Sequence, residues 1–453
     1  MKRQLAVIST VLGFSLLASV AAAEEGWKAG VGKVVITPKT AMWMAGYGAR
    51  TKPSEGMVHD LWAKALILED PLRQRVVLVT LDLCGIGRDF AEPIRAEISK
   101  RHKTPHQGIV LACSHTHSGP VVGGNLITMY RLDDAERAKI KAYTELLDDM
   151  ILEAVDKAAA DLAPAEIAWE TGKCDFAVNR RANKESDVPA LRASLALQGP
   201  VDHDVPVLRV TSPQGVLRAI VCGYACHCTV MDGQAFSGDY AGFAQIAIEK
   251  ANPAATAFFV AGCGADQNPI PRRSLELAET YGKQLAAAVE LVIARPMRLI
   301  RKPIQTQSAG TSLKFATIPT QAQVENETKS TDFYTSSRAK SLLRLYEANG
   351  KLEPTYPYTV QVWRLDDLTW IFLGGEVVVD YSLRLKRNLG ANTWVSAYCN
   401  DVMAYIPSER VLKEGGYEGG GAMLYYGRPS PWATGVEEEI FKAIGTILPQ
   451  PSR

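Results

Sequence analysis

Beyond Val20 the chain has no long hydrophobic run: nothing later approaches the ~18 uninterrupted apolar residues that a membrane-spanning helix needs, so a water-soluble body is expected. Charge of one sign is also missing. The formal net charge is +1, which removes the electrostatic case for nucleic acid or an anionic membrane as partner. Low-complexity tracts, long linkers and internal sequence repeats are absent, so residues 24–453 read as one continuous unit of catalytic size. Cysteine is present, but not as a framework. The eight cysteines are scattered, and Cys84, Cys222 and Cys263 sit in or beside strand-like apolar runs, where free thiols pack as small hydrophobes. Spacing pairs none of them and leaves room for one or two bridges.

The one long apolar run is at the start. Met1-Lys2-Arg3, an apolar stretch from Leu5 to Val20 and Ala21-Ala22-Ala23 before Glu24 form the charged, apolar and cleavage regions of a secretory signal. Residues 1–23 are therefore expected to be removed and the protein exported, to the periplasm or beyond the cell. No cysteine follows the cleavage site, so a lipid anchor is not expected.

Strand-like segments recur at residues 75–83, 107–112, 205–211, 217–224, 257–261, 358–363 and 369–373. Ser212-Pro213-Gln214-Gly215 joins two of them as a hairpin turn. Helical periodicity appears at residues 92–100, 135–160, 241–250, 275–294, 337–349, 377–388 and 435–448. The expected class is α/β, with a mixed β-sheet core flanked by helices.

Cys113-Ser114-His115-Thr116-His117-Ser118-Gly119-Pro120 carries the strongest chemical signal. Its two imidazoles are two residues apart where an apolar strand runs into a Gly-Pro break. Strand alternation predicts that His115 and His117 point the same way at the strand mouth, where α/β sites form and where imidazole binds metal or moves protons. Backbone-bonded histidines capping a strand end remain the alternative. His227, in Ala225-Cys226-His227-Cys228, ends another apolar strand. Adjacent strand residues face opposite ways, so His227 is a better single ligand than the Cys-His-Cys triplet is a cluster. Glu376 follows Gly374-Gly375 and is expected to open the helix at 377–388, where a carboxylate also complements the helix dipole. Tyr405 lies in Ala404-Tyr405-Ile406-Pro407, and Tyr417 in a glycine-rich loop suited to closing a pocket.

These motifs, in this order, resemble the catalytic domain of neutral ceramidases: Ser-His-Thr-His-Ser-Gly-Pro, a strand-end His followed by Ser237-Gly238-Asp239, Gly-Glu before a helix, and Tyr-Ile-Pro-Ser followed by Tyr-Glu-Gly. Val35-Ile36-Thr37-Pro38, Met44-Ala45-Gly46-Tyr47-Gly48 and Val58-His59-Asp60 look like its opening, and the resemblance runs from about Gly30 to Leu448. It implies one catalytic Zn²⁺ held by His115, His227, Glu376 and Tyr405. It also implies His117 as an acid/base partner, with Arg180 of Asn179-Arg180, or Arg181, and Tyr417 facing the reacting group. Such an ion accepts N and O ligands, acidifies water and polarises a carbonyl, so the implied reaction is hydrolysis of an N-acyl-sphingosine type amide in sphingolipid metabolism.

Two departures bear on substrate. Gly264-Ala265-Asp266-Gln267-Asn268-Pro269 stands where the family carries Gly-Asp-Val-Ser-Pro, so Asn268 replaces a serine. The chain also ends near the close of the catalytic domain, so the C-terminal immunoglobulin-like domain typical of the family is not expected. A smaller polar amide, ester or carbohydrate derivative is thus the alternative to a lipid amide, with Asp239, Asp266 and Asn268 as substrate contacts. A non-catalytic binding protein on the same fold is the third reading, and the presence of all four implied ligands argues against it.

Overall fold

The computed structural model describes residues 26–448; the segment read as an export signal lies outside the described residues. Three sheets share one topology. In the first, Lys28–Val35 pairs antiparallel with Trp62–Glu69, which pairs antiparallel with Arg75–Leu81, which pairs parallel with Ile109–Cys113. The second repeats the pattern with Glu166–Lys173, Asp204–Thr211, Leu217–Tyr224 and Thr256–Ala261. The third repeats it with Gln305–Lys314, Thr355–Leu365, Leu368–Leu373 and Thr393–Ser396.

Each parallel step needs a crossover, and a helix supplies it every time: Arg88–His102, Asp239–Ala251 and Val379–Leu389. Each unit then returns a further helix to its own first strand: Asp134–Ala160, Leu275–Ile293 and Val436–Ile447. The sequence shows no repeat, yet the topology recurs three times. What recurs is the order of strands and helices, which burial patterns specify without conserving residue identities.

Side-chain alternation explains how the sheets assemble. Leu66, Leu68, Leu78, Val221, Phe258 and Trp370 belong to one core cluster to which all three sheets contribute. On the opposite faces Ala65, Ile67, Val79, Cys222 and Ile371 join the layer that includes the helices. Strands covered on both sides read as unbroken apolar runs. Close helix approach is set by Gly30 and Gly32: a Cβ there would lie 2.0 Å from the Ala158 carbonyl oxygen and 2.1 Å from that of Ala154.

The mixed α/β class and the hairpin at residues 212–215 agree with the sequence reading. Trp62–Glu69, Glu166–Lys173 and Gln305–Lys314 are strands it did not anticipate. All eight cysteines are free and buried, so the one or two bridges allowed for are not formed. Among the described residues no helix is long and apolar enough to cross a membrane.

Candidate metal centre

The loops leaving the strand ends of all three units meet at one point. In the first unit the strand stops at Cys113 and His115 enters the left-handed region at φ 60°. The expected strand alternation therefore does not aim the two histidines. Backbone bonds do so instead: His115 N–H donates to the Leu83 carbonyl at 2.9 Å, and His117 N–H to the Cys228 carbonyl at 3.1 Å. In the second unit His227 is anchored by its N–H on the Gln267 carbonyl at 2.9 Å. In the third, Glu376-Val377 pairs in parallel with Tyr405-Ile406, and the helix begins only at Val379. Glu376 is thus a strand residue set beside Tyr405, not a first-turn helix carboxylate.

Tautomers follow from the carbonyls each ring meets. His115 Nδ1 donates to the Cys84 carbonyl at 2.6 Å and His227 Nδ1 to the Gly264 carbonyl at 2.7 Å. Both Nε2 atoms then carry lone pairs, and both face Glu376 Oε2, at 3.0 and 3.1 Å. His117 Nε2 lies 3.1 Å from His115 Nε2, and Tyr405 Oη 3.3 Å from His227 Nε2. Lone pairs facing lone pairs in a buried site require a positive charge between them.

With protons alone the cluster meets that need unevenly. Burial pulls the His115 pKa down, but the Glu376 carboxylate and Cys84 outweigh it and raise the ring to about 10. Burial would raise Glu376, and His115 holds it well below the usual carboxylate range. Burial and the Arg180 guanidinium push His227 to about 4, and burial with His115 and His227 keeps His117 well below its ordinary value. The donor set of His115, His227 and Glu376, with ligand atoms within 4.8 Å of one another and the Tyr405 hydroxyl alongside, fits a small dication that prefers nitrogen and oxygen. A second set, Cys84, His115 and His117, shares His115 with the first.

Other groups named from the sequence divide. His117, Arg180, Tyr405, Tyr417 and Asn268 line a cavity of about 640 Å³ above the cluster. Arg180 is held by three acceptors: Glu418 Oε1 at 2.7 Å, Asn268 Oδ1 at 3.2 Å and Tyr405 Oη at 3.1 Å. Tyr417, on the Gly416–Gly419 turn, is 42% exposed with its ring 5.2 Å from that of Tyr405. Asp239 and Asp266 are not among the residues lining this cavity, and both carboxylates accept hydrogen bonds from the scaffold. Asp239 accepts from the N–H groups of Val230, Met231 and Tyr240; Asp266 accepts from Val379 N–H at 2.8 Å and Asn179 Nδ2 at 3.1 Å.

Several neighbours escaped the sequence reading. The Tyr426 hydroxyl donates to Glu376 Oε1, leaving Oε2 for the histidines. Tyr398 stacks on His115 at 4.3 Å between centroids. Gly46, at φ 96°, lies so close that a Cβ would meet His117 Cγ at 2.4 Å, and Tyr47 packs edge-on to the same ring at 4.8 Å. Gly46, Tyr47 and Glu418 lie within quoted motifs, a signal that could have found them; Tyr426 and Tyr398 had none.

Fold and site together define an α/β protein with a buried two-histidine, one-carboxylate centre beneath an open cavity. Two solved structures share the fold. A ceramidase complexed with C2 superposes with TM-score 0.72 at 17% identity, covering 94% of this chain and 76% of that one. The neutral ceramidase of Pseudomonas aeruginosa gives TM-score 0.70 at 18% identity, covering 94% and 75%. The family profile for neutral/alkaline non-lysosomal ceramidase, N-terminal, matches residues 27–268, and the chain belongs to that family. Among curated relatives, the neutral ceramidase of Pseudomonas aeruginosa is 26% identical over 216 residues, which is 45% of this chain and 30% of the relative. Neutral ceramidase A of Dictyostelium discoideum is 24% identical over 234 residues, 50% and 32%. Neutral ceramidase 1 of Arabidopsis thaliana is 26% identical over 280 residues, 60% and 35%. The aligned region thus spans about a third of the length of these relatives.

Proposed function

We propose that the protein is a zinc-dependent hydrolase that cleaves the amide bond of an N-acyl compound. The observation that carries this reading is the convergence of His115 Nε2, His227 Nε2 and Glu376 Oε2 at the foot of a cavity lined by proton-carrying groups. His115, His227, Glu376 and Tyr405 would hold the ion. When bound, it supplies Lewis-acid polarisation of the scissile carbonyl and acidifies the attacking water.

The chain's own residues do the rest. His117, kept neutral by burial beside two other imidazoles, accepts the proton of the attacking water and returns it to the leaving amine nitrogen. Tyr417, partly exposed in the cavity, donates its hydroxyl hydrogen to the carbonyl oxygen as negative charge develops there. Arg180 keeps a fixed positive charge beside that oxygen and orients Tyr405 through the 3.1 Å bond. The charged start, apolar run and Ala21-Ala22-Ala23 of the first 23 residues support export of the mature enzyme; a protein from its native host that retains the first 23 residues would contradict it.

The test is amine release from short-chain and long-chain N-acyl substrates by purified protein, before and after chelation. Release should stop on chelation and return with stoichiometric zinc. Release that persists in a protein stripped of metal would overturn the assignment.

A further inference from the structure

Two loops form the wall of the cavity that meets Tyr405. One carries Arg180 and Arg181 after the strand Ala177–Asn179; the other is the turn Gly416–Gly419, which carries Tyr417 and Glu418. The turn has little of its own to fix its place. Gly415 and Gly416 both sit in the left-handed region, at φ 69° and 76°, where glycine leaves the backbone most freedom. The Tyr417 ring rests edge-on against Tyr405 and tilted against Tyr425, and such ring contacts hold less firmly than hydrogen bonds to charged groups.

Those charged bonds come from one place. Apart from bonds to neighbours in sequence, every hydrogen bond of residues 415–420 among the described residues runs to Arg180 or Arg181. Glu418 Oε1 accepts from Arg180 Nε and Oε2 from Arg181 Nη1, each at 2.7 Å, and the Gly415 carbonyl accepts from Arg181 Nη2 at 3.1 Å. Burial would raise the Glu418 carboxyl, but the two guanidiniums hold it below its usual range, so both oxygens serve as acceptors. Losing that carboxylate would fall unevenly on the two loops. Arg180 would keep Asn268 Oδ1 and Tyr405 Oη, whereas the turn would keep only the Gly415 carbonyl bond.

We infer that Glu418 is the positioning residue for Tyr417: its carboxylate, shared by Arg180 and Arg181, fixes where the Tyr417 hydroxyl stands in the cavity. This rests on the hydrolase reading above and adds to it a side chain to which the Tyr-Glu-Gly motif gave no role. The charge is needed as well as the shape. Guanidinium groups only donate, so each Glu418 oxygen must accept, and an amide of the same shape would turn an NH2 group toward one of them.

Two readouts on the full-length protein test this. Glu418→Gln should speed amide hydrogen exchange across residues 415–420 by about tenfold, the scale of one hydrogen bond to a charged group, while zinc stays stoichiometric. On a short-chain ceramide with a fluorescent acyl group, the same variant should lower kcat by about tenfold or more, towards the roughly 100-fold of a group misplaced by about 1 Å, with KM changed less than about twofold. In a Tyr417→Phe background, adding Glu418→Gln should lower kcat by less than about twofold, because no hydroxyl is left to place. Losses that multiply in the double variant, or unchanged exchange at 415–420 in Glu418→Gln, would overturn the positioning role and leave the hydrolase reading standing. If Glu418→Gln does not fold, Arg181→Ala, which releases Glu418 Oε2 and the Gly415 carbonyl, goes through the same cycle with the same deciding results. No release by the zinc-loaded parent would remove the hydrolase reading, and this inference with it.

Discussion

Glu376 has two oxygens with different neighbours: Oε2 faces His115 and His227, and Oε1 accepts from the Tyr426 hydroxyl. A partner on the far oxygen fixes the carboxylate's rotation, and losing such a partner costs about 10–100-fold in metal affinity in comparable sites. Tyr426→Phe should therefore raise the zinc Kd by about tenfold, read by competition with a chromophoric chelator, with an unchanged near-ultraviolet circular dichroism spectrum. An unchanged Kd would show that Tyr426 plays no part in orienting Glu376. Far from the site, burial on the Asp134–Ala160 helix, with Asp149 and Glu145 adding, raises the Asp148 carboxyl from 3.8 to about 6. Its contribution to stability is complete below about 3.8 and is lost as pH rises through about 6. Asp148→Asn should thus be more stable than the parent by about 1 kcal/mol at pH ~7.5, after allowing for solvent screening, and equal to it near pH ~4. Urea midpoints at the two pH values decide; a gain independent of pH would refute the electrostatic cause. Residue chemistry was legible where it came as a pattern, as with His115 and His117 or the Gly-Glu at 376. A single tyrosine such as Tyr426 has no pattern, and a carboxylate beside glycine looks the same whether it meets a ligand or, like Asp239, backbone N–H groups.

Elements place these groups more than they supply chemistry. Strand alternation was a sound expectation for His115 and His117, but the strand ends at Cys113 and the left-handed turn at His115 does the aiming. Likewise Glu376 read as a helix opener because Gly374-Gly375 breaks the preceding strand, whereas a short parallel pairing with Tyr405-Ile406 continues it. That pairing joins positions far apart in the chain, which local propensity does not encode. The same dependence on loop geometry makes Gly46 a sharp probe. At φ 96°, with a Cβ position 2.4 Å from His117 Cγ, Gly46→Ala must displace the His117 ring or the loop. Amide hydrolysis should fall by about 100-fold, the scale of a lost general base, while bound zinc stays stoichiometric. Full activity in Gly46→Ala, or loss of the metal with it, would contradict the separation of roles between His117 and the ligands.

At the scale of the whole molecule, three units of equal topology each send strand-end loops to one point, and the proposed ligands come from all three: His115 from the first, His227 from the second, Glu376 and Tyr405 from the third. The α/β class was readable from alternating periodicities, but the threefold recurrence was not, because only element order is repeated. A dication held by all three units binds the assembled fold and not the unfolded chain. Metal at about a thousandfold excess over its Kd should add about 4 kcal/mol to stability. Chelation should accordingly lower Tm by several degrees, and His115→Ala should show the lower Tm with or without added zinc; an equal chelator effect on parent and variant would contradict this. Crystals of the protein grown with zinc, measured on both sides of the zinc absorption edge, test the central claim most directly. One anomalous peak about 2 Å from His115 Nε2, His227 Nε2 and Glu376 Oε2 is the predicted result. A fully loaded protein whose only peak lies elsewhere would contradict it.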